Sequence, residues 1–125
     1  MKKNIIILFF LFFSFSSFAQ VKVVNAEEFE KQLKNTKSEL LIDVRTPQEF
    51  EKSHLKNAIN IDFRNPDFRK EIEKLDKTQP VFVYCAAGRR SNAAANLFLE
   101  AGFQTVYDLE GGLNAWVKTG RDVEQ

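Results

Sequence analysis

From residue 21 onward, short β-type runs alternate with helical ones, and this alternation is what most constrains the fold. Val21 to Val24 reads as a strand. Asn25, with Glu28 three residues on, predicts an N-cap opening a helix whose apolar side carries Phe29 and Leu33. Leu40 to Val44 is a compact apolar run of the kind buried on both faces of a sheet. Thr46-Pro47 pairs a cap with proline at the first helical position, starting a short helix through Glu51. Ala58 to Ile61 is the next strand, and Asp67 caps a helix with Phe68, Ile72 and Leu75 at helical spacing. Val81 to Tyr84 is another buried strand and ends at Cys85. Ser91 to Ala101 reads as a helix with Ala94, Leu97, Phe98 and Ala101 inward, closed by Gly102. Phe103 to Leu109 forms a last strand, Gly111-Gly112 a turn, and Leu113 to Lys118 a final helical piece. The pattern predicts an α/β domain around a mostly parallel sheet, in which ligands bind at the carboxyl ends of strands. Cys85 stands at one such end.

The segment after that strand reads Cys85-Ala86-Ala87-Gly88-Arg89-Arg90-Ser91. Ala86, Ala87 and Gly88 are small enough for the backbone to curl and turn its N–H groups inward. Those donors and the positive end of the following helix make a receptor for negative charge, to which Arg89 and Arg90 add. Such surroundings favour thiolate over thiol, so the loop is read as both nucleophile activator and anion site. An inert buried cysteine is the competing reading, but it needs neither a small-residue loop nor two arginines.

The first residues belong to a different design. Met1-Lys2-Lys3 is a basic head, Ile5 to Phe13 is unbroken apolar sequence, and Ser17-Phe18-Ala19 supplies a small-residue site. This is the layout of a secretory signal peptide cleaved before Gln20, leaving residues 20–125 as an exported domain, periplasmic or secreted, with no stable membrane association. The apolar run falls short of the ~20 residues that span a bilayer, and an uncleaved N-terminal anchor is the competing reading. Six of the 13 Phe residues lie in this segment. Without Lys2 and Lys3 the 18 basic residues become 16, against 17 acidic, a net charge of −1 that gives no electrostatic case for nucleic acid. The one cysteine cannot form an internal disulfide, and one Cys with one His cannot build a structural zinc site. No CxxC pair, dinucleotide fingerprint or P-loop is present.

Four segments in order carry a resemblance. Leu41-Ile42-Asp43-Val44-Arg45 with Thr46-Pro47-Gln48-Glu49-Phe50 is the first; Ser53-His54-Leu55-Lys56-Asn57-Ala58-Ile59-Asn60-Ile61 is the second. The third is Cys85 to Ser91, in the form Cys-x-x-Gly-x-x-Ser, and the fourth is Gly111-Gly112-Leu113 with Ala115-Trp116. Together they resemble the rhodanese superfamily, in particular its small single-domain exported members. Ser53 and Asn57 stand where that family commonly has glycine. The resemblance implies a sulfurtransferase. Cys85 takes sulfur from a small-molecule donor such as thiosulfate and holds it as a persulfide cradled by Ala86, Ala87, Gly88, Arg89, Arg90 and Ser91. It then passes the sulfur to a thiol or to cyanide, with no metal or organic cofactor. Asp43, Arg45 and Glu49 are expected to form a supporting polar network, with His54 structural and Trp116 in packing. Rhodanese-fold phosphatases and arsenate reductases use a Cys-x5-Arg loop, which Arg90 misses by one residue. A non-catalytic or slow sulfur-relay module is the other alternative.

Overall fold

The computed structural model describes residues 1–14 and 18–125, so the small-residue site at Ser17-Phe18-Ala19 lies partly outside the described residues. Five strands form one parallel sheet: β1 (Gln20–Val24), β2 (Leu40–Asp43), β3 (Ile59–Asn60), β4 (Val81–Tyr84) and β5 (Thr105–Leu109), in the spatial order β1-β5-β4-β2-β3. Five helices connect and cover them: α1 (Ala26–Asn35), α2 (Pro47–Lys52), α3 (Phe68–Glu73), α4 (Arg89–Glu100) and α5 (Gly112–Lys118).

β4 is the central strand and its alternation sorts the core. Val81, Val83 and Cys85 point to one face, into a cluster with Ala94, Ala95 and Phe98 of α4 and with Phe103. Phe82 and Tyr84 point to the other, against Phe29 of α1 and Leu113 and Trp116 of α5. Burial on both faces explains why β4 carries no charged residue, its one hydroxyl, on Tyr84, being satisfied by Leu55 N at 3.0 Å.

The caps read at Asn25 and Thr46 form. Asn25 Oδ1 accepts from Glu28 N at 2.9 Å, and Thr46 Oγ1 from Glu49 N at 3.3 Å. Asp67 precedes α3, but its side chain makes no cap hydrogen bond. Its φ of −90° and ψ of 9° are not the extended geometry that aims a cap oxygen at the helix, and it lies 3.8 Å from Lys70 instead. Leu75 falls just beyond α3, in a turn closed by its N–H to Ile72 O at 3.2 Å. The larger correction concerns α4, which starts at Arg89 rather than Ser91. Gly88, at φ 108°, turns the chain straight from the loop into the helix, so both arginines lie on its first turn. Asn57, where the resembled family commonly has glycine, holds φ 67°, a left-handed conformation that asparagine tolerates. Ser53 is simply extended.

Candidate active site

β4 ends in the middle of the sheet, and Cys85 follows it at the bottom of the loop, 1% exposed. Its Sγ accepts the Gly88 N–H at 3.0 Å and lies 3.4 Å from Ser91 Oγ, which itself donates to Gly88 O at 3.2 Å. Arg89, Arg90 and Ser91 open α4, where a helix leaves its first N–H groups without intrahelical acceptors. The sulfur therefore sits against one bonded N–H and the positive end of a 12-residue helix.

What turns the loop this way is the Gly111-Gly112 turn. Leu113 N donates to Cys85 O at 2.8 Å and Asn114 N to Ala86 O at 3.0 Å, so the start of α5 holds the loop's first two carbonyl groups. A Cβ on Gly112 would lie 2.4 Å from Cys85 O and 2.6 Å from Ala86 C and O, all backbone atoms. Only glycine lets α5 approach the loop this closely. In sequence this pair reads as a turn and as part of the fourth resembling segment; its contact with the active loop is not legible there.

The charged residues separate into two pairs. Asp43 and Arg45 form a buried fork, with Arg45 Nε 3.0 Å from both carboxylate oxygens and Nη2 2.6 Å from Oδ2. Arg45 Nη2 also donates to Ser53 O at 2.6 Å, and Asn60 Nδ2 bonds the carbonyl groups of Asp43 and Arg45 at 3.0 and 2.8 Å. This pair fastens the end of β2 to the turn after α2 and makes no hydrogen bond to Cys85. Glu49 belongs to the second pair: Arg90 Nη1 and Nη2 reach its two oxygens at 2.8 and 3.0 Å. The Arg90 guanidinium holds the Glu49 carboxyl down at about 2, and Glu49 raises Arg90 in return. Arg89 is exposed. The two arginines thus divide: Arg90 fixes α4 to α2, and Arg89 is the one presented to solvent.

His54 stacks on Phe50 with ring centroids 3.9 Å apart and bonds Phe50 O through Nδ1 at 2.9 Å, a packing arrangement. Trp116 is 7% exposed and donates Nε1–H to Asp122 O at 2.9 Å. Asp108 has no counterpart in the expectations. It is 2% exposed on the Cys85 side of the sheet, beside Ser91 and Asn92 of α4, and its Oδ1 has no hydrogen-bond partner among the described residues. Burial pushes its carboxyl above the ordinary range, and the Asn92 amide, 3.4 Å from Oδ2, offsets this only in part. A charged residue at an inward position of an alternating strand was the signal for it. No group of three or more metal-binding side chains occurs among the described residues.

Comparison with known proteins agrees with this geometry. The family model for the rhodanese-like domain matches residues 25–119. Thiosulfate sulfurtransferase GlpE of Vibrio cholerae is 36% identical over 84 residues, spanning 67% of this chain and 77% of that protein. Chloroplastic thiosulfate sulfurtransferase 16 of Arabidopsis thaliana is 37% identical over 89 residues, 63% and 74% of the two chains. The crystal structure of a rhodanese-related protein from Thermoplasma volcanium superposes with a TM-score of 0.71 at 29% identity, over 82% of this chain and 97% of that one. A cysteine on a helix-capped loop at the centre of a parallel sheet, a family match over most of the chain and relatives above 30% identity all agree: the chain belongs to the rhodanese-like domain family.

Proposed function

We propose that this protein is a thiosulfate-type sulfurtransferase working through a persulfide on Cys85. The observation that carries the reading is the Cys85 sulfur held 3.0 Å from the Gly88 N–H at the start of α4. The thiolate attacks the outer sulfur of thiosulfate; a new S–S bond forms, the old one breaks, and sulfite leaves with the electron pair. Gly88 N–H and the first N–H groups of α4 then face the added sulfur, which carries the negative charge. An acceptor thiolate or cyanide attacks that sulfur and Cys85 is regenerated. Two covalent half-reactions replace one direct transfer, giving ping-pong kinetics.

The oxyanion-processing alternative loses support from Arg90, whose paired Nη1/Nη2 face is turned onto the Glu49 carboxylate and so does not present that two-point grip to a phosphate or arsenate. Export belongs to the same proposal. Ile5 to Phe13 are exposed side chains, and the sheet begins at Gln20, where cleavage is read. No helix among the described residues is long and apolar enough to cross a membrane.

Thiocyanate formation from thiosulfate and cyanide tests the activity. Wild type should give parallel double-reciprocal lines and Cys85→Ser no turnover; comparable hydrolysis of an aryl phosphate by wild type would overturn the reading. Recovery of the exported protein starting at Gln20 tests the leader, and Met1 retained in a membrane fraction would contradict it.

A further inference from the structure

The sulfur-transfer reading leaves the acceptor unspecified, and a cleft beside the loop bears on it. The cleft has a volume of about 440 Å³ and lies between α2 and α5, where Arg45, Glu49, Lys52, Leu113, Val117 and Lys118 face it. It adjoins the active loop twice. Glu49 is the residue that grips Arg90, and Leu113 is the residue whose N–H holds Cys85 O. Organic ligand sites commonly measure about 300–1,000 Å³, far more room than a small inorganic dianion fills.

Its charges do not cancel. Arg45 is neutralised by Asp43 and Glu49 by Arg90. Lys52 and Lys118 are exposed and form no ion pair among the described residues. Each ends its helix, where the helix dipole favours a cation. That explains one lysine on each helix; it does not require both to open onto the same cleft. Val117, 51% exposed, and Leu113 add an aliphatic surface beside them.

Resting on the persulfide reading of Cys85, we propose that this cleft is the acceptor subsite and that it takes a small organic thiol bearing carboxylates. Lys52 and Lys118 receive the carboxylates, and the carbon chain lies against Val117 and Leu113. The acceptor thiolate attacks the outer sulfur of the Cys85 persulfide, forming a new S–S bond; the bond to Cys85 breaks and its electron pair returns to the Cys85 thiolate. The outer sulfur keeps its negative charge and leaves as the acceptor's persulfide anion, so no proton, oxidant or reductant is needed.

The test separates the two half-reactions. Protein is loaded with thiosulfate, desalted, confirmed by mass to carry the sulfur, and discharged with mercaptosuccinate (two carboxylates) or 2-mercaptoethanol (none). Lys52→Gln/Lys118→Gln should slow mercaptosuccinate discharge relative to 2-mercaptoethanol by about fivefold, as two exposed ion contacts allow. In wild type, added salt should slow mercaptosuccinate alone, a readout that needs no variant. Equal effects on both thiols, or no effect on either, would overturn the acceptor assignment while leaving the persulfide intact. Failure of wild type to load sulfur at all would instead overturn the reading beneath it.

Discussion

Replacing Gly112 by alanine should disable the active loop while leaving the domain folded. The added Cβ falls 2.4 Å from Cys85 O, where ordinary contact begins near 3.4 Å, so the loop or α5 must give way by roughly 1 Å. Alanine at φ 60° also costs about 1–2 kcal/mol for its left-handed backbone. Losing the two bonds from Leu113 and Asn114 adds about 1 kcal/mol each, for a total of about 3–4 kcal/mol. A domain with about 5–15 kcal/mol of stability survives that at 25 °C. The chemistry does not, because a 1 Å misplacement of reacting groups costs about 10²-fold in rate. Gly120→Ala is the matched control. Gly120 has φ 78° and nothing within 4 Å of a built Cβ, so it carries the backbone cost without the collision. Thiocyanate formation at 25 °C, normalised to folded protein from thermal melts, should fall about 10²-fold for Gly112→Ala and remain near wild type for Gly120→Ala. Similar kcat/KM for the two variants would refute the claim that the double-glycine turn shapes the loop.

Arg89→Ala should raise the thiosulfate KM by a few-fold with kcat unchanged, since an exposed cation contributes about 0.2–1 kcal/mol to anion contact; steady-state kinetics with an unchanged KM would return it to the solvated surface. Because Arg90 holds Glu49 at about 2, the pair's stabilisation is complete above about 4.5 and lost as the pH falls through 2. Thermal melts should therefore show Glu49→Gln less stable than wild type at neutral pH, with the gap closing across that acid window. Asp108 has the opposite sign: burial raises its carboxyl, so the folded state favours the protonated form and loses stability as the pH rises from about 4. Asp108→Asn should escape that loss and melt higher than wild type at neutral pH, the advantage shrinking toward pH 4.

Local chemistry made much of this legible in advance. The caps at Asn25 and Thr46 act within three residues, and the apolar run from Val81 to Tyr84 shows a strand buried on both faces, so the placement of Cys85 at a strand end could be read directly. The beginning of α4 could not, because it depends on the φ of Gly88, a torsion that composition does not specify. The Glu49–Arg90 pair joins residues 41 apart, and only the packing of α2 against α4 brings them together. Glu49 was therefore expected with Asp43 and Arg45, whose own pairing is local and readable. The collision that fixes Gly112 is likewise a long-range contact, between the start of α5 and the loop that follows β4.

Intact mass before and after thiosulfate treatment shows whether Cys85 itself carries the transferred sulfur. Wild type should gain about 32 Da, the mass of one covalently held sulfur, and lose it on addition of cyanide, while Cys85→Ser should show no adduct. A turning-over wild-type protein with no adduct, or an adduct that persists on Cys85→Ser, would contradict the account.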